Sequence, residues 1–168
     1  MSPAKHIQFM REVWLIVALF MGFFTADGQV EVAFFISPTC KICQFYVLEM
    51  QQLEADYGSR VEFKAYAVGP LLTDSMVAEF KRTYGIPFPV ERDDSLHRQW
   101  NATITPEVFV MHNAEVVYHG RIDDSFVRVG KRRAHVKNRE LRSALERILQ
   151  GKTVDVPFVP AVGCIIEK

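Results

Sequence analysis

The chain has 168 residues, three of them cysteine, and its length predicts one domain with room for a real core. Lysine plus arginine equals aspartate plus glutamate at 20 each, so the formal net charge is zero and nucleic acid is not an expected partner. With 49% apolar residues and 13 phenylalanines, the composition excludes a disordered chain and implies compact packing.

Residues 1–28 read as an export signal. Lys5 and Arg11 give a basic start, and Val13 to Phe24 is an unbroken apolar stretch. At roughly a dozen residues it suits a signal core and is short for a membrane span, which needs about 20. Ala26-Asp27-Gly28 then offers small residues for cleavage before Gln29. The alternatives are an uncleaved anchor over residues 13–24 or a buried first helix. The expected location is therefore periplasmic or secreted, with a membrane partner only if the segment stays uncleaved. The folded domain is expected over residues 29–168, with a tail from about residue 151.

Val30 to Ile36 (VEVAFFI) is rich in β-formers and predicts a central strand, ended by Ser37-Pro38-Thr39. A helix follows over Gln44 to Tyr57, with Tyr46, Met50, Leu53 and Tyr57 on one stripe and Gly58 as its C-cap. Val61 to Val68 predicts a second strand, parallel to the first. After Gly69-Pro70, Thr73 or Asp74 caps a helix over Ser75 to Tyr84, with Met76, Val77, Phe80 and Tyr84 inward. Phe88 to Glu91 predicts a short edge strand, and Leu96 to Trp100 a short helix. Glu107 to Met111 and Glu115 to Tyr118 predict a hairpin turning at Asn113-Ala114. Gly120 to Lys137 reads as a long polar loop. Asn138 is the expected cap of a last helix over Arg139 to Gln150. The apolar tail ends in Val162-Gly163-Cys164-Ile165-Ile166. This order predicts an α/β fold, a mixed central sheet with helices on both faces.

The motif that carries chemistry is Cys40-Lys41-Ile42-Cys43, placed where the first strand turns into a helix. A thiol at a helix N-terminus meets unpaired N–H groups and the positive end of the dipole, which favour the thiolate, the nucleophile of disulfide exchange. Comparable motifs bring the pKa to roughly 3.5–7.5. Cys40 is the candidate nucleophile, with Lys41 as a favourable charge. Cys43, one turn inward, is the candidate resolving thiol. A structural disulfide is the bland alternative. A four-ligand zinc site needs a second pair, which is missing, and His97, His112, His119 and His135 lack ligand spacing, so no metal site is assigned. Cys164 reads either as core filler or as a candidate third redox thiol. It reaches Cys40 or Cys43 only if the tail folds back across the active face. The basic run Arg128, Lys131, Arg132, Arg133, Lys137 and Arg139 reads as a solvated loop, and Arg121, Asp123 and Asp124 as turn residues with a local ion pair.

The element order, the Cys-x-x-Cys after the first core strand and Thr105-Pro106 before the hairpin resemble the thioredoxin fold. That resemblance implies a cis Pro106 facing the dithiol, with Thr105 docking an incoming thiol or peptide. Ser37 to Cys43, Ala102 to Val110, Tyr118 to Asp124 and Gly163 to Ile166 are similar to bacterial redoxins near the alkyl hydroperoxide reductase and thiol-specific antioxidant group. Three departures bear on function. Lys-Ile replaces the Gly-Pro of ordinary thioredoxins, and Thr39 their tryptophan. Phe34 stands where thioredoxins bury an aspartate. Ala33 stands where peroxiredoxins carry a proline. The expected activity is thiol–disulfide exchange with no cofactor, using a protein or small thiol/disulfide substrate and an unidentified electron donor. The alternatives are a thiol peroxidase acting at Cys40 and a copper-handling or other metal-handling binding module of the same fold.

Overall fold

The structure is a computed structural model that describes residues 28–167. Apart from Gly28, the segment read as an export signal lies outside the described residues. Among the described residues, no helix is long and apolar enough to cross a membrane.

Strand β1 (Val30–Ile36) is buried along nearly its whole length, the pattern of a strand covered on both faces. It leads into α1 (Lys41–Tyr57), then β2 (Val61–Ala67), which runs parallel to β1 with Val30 opposite Val61. A second crossover, α2 (Asp74–Tyr84), leads to β3 (Val90–Arg92), parallel to β2. Both crossovers step outward in the same direction. Right-handed connections therefore put α1 and α2 on the same face of the sheet. The short α3 (Leu96–Gln99) returns the chain to β4 (Ile104–Thr105) and β5 (Glu107–His112). β5 is antiparallel to β1 and forms a hairpin with β6 (Glu115–Gly120). Asn113 and Ala114 both have positive φ at the turn, the mirror-image geometry that matches strand twist. A small hairpin follows, β7 (Phe126–Arg128) with β8 (Lys131–Arg132). Then come α4 (Glu140–Leu149), β9 (Phe158–Val159) and β10 (Cys164–Ile165). The main sheet has six strands in the order β3-β2-β1-β5-β6-β9.

Alternate residues of β1 feed two cores. Val32, Phe34 and Ile36 pack with Met50 and Leu53 of α1 and Leu141 and Leu145 of α4. Ala33 and Phe35 pack on the other face with Phe109, Ala102, Trp100 and Ile166. Phe35 meets Trp100 and Phe109 edge-on at 5.8 and 5.5 Å, a favoured aromatic arrangement. The expected mixed sheet with helices on both faces is present. The second face, however, carries only α3 and the tail.

Several local expectations are corrected. The helix expected from Gln44 starts three residues earlier, at Lys41. Gly58 caps it with right-handed φ, its N–H donating to Glu54 O, so no left-handed cap forms. Met76 is 39% exposed rather than inward. The cap of α4 is Arg139, because Asn138 donates its side-chain amide to Asp124 instead. The polar loop after Gly120 contains β7 and β8, and its charges reach far along the chain. Buried Asp124 pairs with Arg133 and accepts the Lys137 N–H, Arg121 pairs with Glu140, and Arg139 pairs with Glu49. The tail, in which no strand was expected, docks β9 parallel to β6. Gly120 permits that approach. Its φ is +130°, and a Cβ there would lie 1.8 Å from Val159 O.

A three-thiol candidate active site

The turn Ser37-Pro38-Thr39 ends β1 and delivers Cys40 as the N-cap of α1, with extended φ −78° and ψ 115°. Its N–H donates to Ser37 O at 3.0 Å, and its carbonyl accepts the Gln44 N–H at 3.1 Å. Cys40 thus sits where the first helical N–H groups lack partners. Cys43, a turn further on, is completely buried, and its sulfur accepts the Ser37 N–H at 3.4 Å.

The Thr105-Pro106 peptide bond is cis, as the resemblance implies. Thr105 and Pro106 are both buried against the dithiol end of α1, and the Cys40 thiol donates to Thr105 O at 3.3 Å. The tail crosses the same point. β10 pairs antiparallel with β4, with Cys164 opposite Thr105 and Ile165 opposite Ile104. Cys40, Cys43, Thr105, Pro106 and Cys164 are therefore brought together. All three cysteines are free thiols.

The electrostatics separate their roles. The Cys40 pKa falls from 9.0 to about 4, chiefly through a hydrogen bond from Cys43. Burial opposes the shift, while a hydrogen bond from Cys164 and the N–H groups of Cys43 and Ile42 assist it. Cys43 moves well up, because burial and the neighbouring Cys40 charge both disfavour a second thiolate. Cys164 rises to about 12 for the same two reasons. One site thus holds a stabilised thiolate and two protonated thiols. Lys41 takes no part in this. Its amine donates to Gln44 at 3.1 Å and is not among the groups that lower the Cys40 pKa.

No acid supports the dithiol from β1. Phe34, at the position in question, stacks on Phe63 and Phe88 at 6.3 and 5.7 Å. Glu31 pairs with Lys64 near the start of that strand. The histidines are dispersed. His97 is buried in α3, and His119 stacks between Phe109 and Phe158. Among the described residues, no group of three or more His, Cys, Asp or Glu side chains is arranged to hold a metal ion.

A groove of about 480 Å³ runs over Cys40, bordered by Thr39, Gly69, Leu71, Leu72, Thr105 and the tail. Leu71, 94% exposed and at φ +66°, Met76 and Ile165 make its rim apolar. The rim was not read from the sequence, because only the fold brings residues 71 and 165 together. The one local sign was Gly163, where a Cβ would lie 2.0 Å from Thr105 O. A tail that ran free would not need glycine there.

Solved structures were compared with this geometry. A hypothetical protein from Sinorhizobium meliloti is 29% identical with a TM-score of 0.72, over 83% of this chain and 80% of its own. An uncharacterised conserved protein from Geobacillus kaustophilus is 26% identical with a TM-score of 0.74, over 84% of this chain and 78% of its own. An uncharacterised thioredoxin-like protein from Porphyromonas gingivalis is 18% identical with a TM-score of 0.53, over 75% of this chain and 76% of its own. The fold is thioredoxin-like. By sequence, no protein-family model matches the chain and no curated protein matches it. The site lies where β1 leads into α1. The tail that closes over the site follows α4 in the chain.

Proposed function

We propose that this protein is an exported thiol–disulfide oxidoreductase in which Cys40 attacks, Cys43 resolves, and Thr105 and Pro106 dock the incoming partner. The observation that carries this reading is Cys40 at the cap of α1, where the neighbouring thiols and the Cys43 and Ile42 N–H groups draw its pKa to about 4. A thiolate held ready at neutral pH is the nucleophile that exchange requires.

The cycle balances without a cofactor. The Cys40 thiolate attacks one sulfur of a substrate disulfide, and a mixed disulfide forms. The other substrate sulfur leaves as a thiolate and takes a proton. Burial holds Cys43 protonated first, and with the Cys40 charge consumed the repulsion that adds to it is gone. Cys43 loses its proton, attacks the Cys40 sulfur and releases the second substrate thiol. Two protein thiols have become a disulfide, and one substrate disulfide has become two thiols. Run in reverse, the same steps oxidise a dithiol. The apolar rim at Leu71, Met76 and Ile165 favours a polypeptide over a small polar disulfide as substrate.

Equilibration of the full chain in mixtures of reduced and oxidised glutathione tests the reading. A single two-electron transition between Cys40 and Cys43 is expected. Its potential is expected nearer the −120 mV than the −270 mV end of the roughly known range, because a stabilised thiolate favours the reduced pair. A pair that forms no disulfide at any poise overturns the proposal. Export rests on the basic start and apolar run of residues 1–28. N-terminal sequencing of the protein recovered outside the cytosol tests it, with Gln29 expected first and an intact Met1 as the opposing result.

A further inference from the structure

We propose that β10 is a tethered occupant of the docking edge, and that Cys164 on it is a second resolving thiol for Cys40. This rests on the exchange chemistry proposed above and extends it to three sulfurs.

Four observations converge. First, β10 adds to β4 as an antiparallel strand, with Cys164 opposite the Thr105 whose carbonyl contacts the Cys40 thiol. The Ile166 N–H donates to Thr103 O at 2.9 Å, and the Thr105 hydroxyl donates to Cys164 O at 3.4 Å. This is strand addition, a common mode of peptide recognition, carried out by the protein's own tail. Second, Cys40 and Cys164 line one groove, with Thr105 between them in the chain pairing. Third, Gly163 is buried against Thr105 O, where any side chain would push the strand away. Fourth, the proposed attacking residue, Cys40, is only 2% exposed. An external disulfide reaches it only when something moves. β10 covers it and is short, at two residues long with Ile165 78% exposed.

The chemistry closes on the atoms present. After Cys40 has formed a mixed disulfide, Cys164 gives its proton to the departing substrate sulfur and attacks the Cys40 sulfur. A Cys40–Cys164 bond forms, and the substrate thiol leaves. Cys43 can then attack Cys40, form the Cys40–Cys43 bond and return Cys164 to the thiol, with no net transfer of electrons. Burial shifts the Cys164 thiol upward, and the Cys40 charge that adds to this in the reduced site is absent from the mixed disulfide, so Cys164 is more readily deprotonated at the step that needs it.

Glutathione disulfide is the probe. Full-chain Cys43→Ala is treated with it, quenched with acid, alkylated and mapped by mass spectrometry without reduction. The expected product is a Cys40–Cys164 disulfide, with glutathione retained on Cys40 only when Cys164→Ala is added. Equal glutathione on Cys40 in the single and double variants overturns Cys164 as a resolving thiol while leaving exchange at Cys40 intact. No glutathione on Cys40 in the double variant overturns the exchange reading itself. Gly163→Ala tests the occupant separately, with both partner thiols present. Displacing β10 is expected to speed Cys40 alkylation by iodoacetamide at least about tenfold. An unchanged rate overturns the occupancy.

Discussion

Cys40→Ser is expected to lower exchange with glutathione disulfide by at least about a hundredfold, because the variant loses the stabilised thiolate while burial still shifts both remaining thiols upward. Cys43 is completely buried. Neither remaining thiol can form the Cys40–Cys43 bond. The fold should not suffer. The two backbone hydrogen bonds at position 40 do not involve the side chain. Serine is also a better N-cap than cysteine, and caps of this kind contribute about 1 kcal/mol. Measured near pH 4, where the parent has lost the stabilisation of its thiolate, the thermal midpoint of Cys40→Ser should therefore equal or exceed that of the reduced parent. Retained exchange, measured as mixed-disulfide formation by mass, would show that Cys40 is not the nucleophile. A collapsed midpoint would show that its side chain is structural.

The pH dependence carries the second large effect. A thiol with an ordinary pKa of 9.0 gains about a thousandfold in thiolate between pH 5 and pH 8, whereas one at about 4 is already ionised and stays flat. Ultraviolet thiolate absorbance of the reduced protein should accordingly lose one thiolate only as the pH falls towards 4. It should show no step between pH 5 and 8. A step near pH 8 or 9 assigned to Cys40 would mean that the helix cap and the two neighbouring thiols do not stabilise its charge. The sign for stability follows from linkage. The folded pKa of Cys40 lies below its unfolded value, so its stabilisation is complete above about pH 9. It shrinks as the pH falls and is lost as the pH passes through about 4. Cys43 and Cys164, both shifted upward, remain protonated across this window and leave the trend unchanged. The disulfide form lacks the thiolate. At pH 7 the reduced protein should therefore be the more stable form to denaturant, with the advantage fading on acidification.

What could be read from the sequence was whatever local chemistry or strong periodicity fixed. The stripe Tyr46, Met50, Leu53 and Tyr57 lies buried as its spacing requires, and Thr73 accepts the Met76 N–H as a cap. The apolar run of β1 is the central strand, and Asn113-Ala114 makes the hairpin turn. The resemblance, rather than composition, led to a cis Pro106 beside the dithiol. The misses have one physical character. β7, β8, β9 and β10 are two or three residues long and exist because a partner strand accepts their hydrogen bonds, which no local propensity encodes. The ion pairs Arg121–Glu140 and Arg139–Glu49 join distant segments, so proximity in sequence pointed to the wrong partners. Lys41 failed for the opposite reason. It is next to Cys40 in sequence, but its side chain turns along the helix to Gln44.

The tail is pinned on both sides of Cys164. Val159 is held against Gly120, and Ile166 is 8% exposed in the core formed with Phe35 and Phe109. Opening at β10 therefore releases a short leash, not a free end, and the thiol on it never diffuses away. Its effective concentration at Cys40 is on the order of millimolar or above, as for any short intramolecular link. On the proposal above, a visiting peptide competes with a permanent resident, and it succeeds by pairing with the β4 edge better than β10 does. Weakly bound disulfides are turned away by local concentration alone, which makes the leash a filter on substrate affinity.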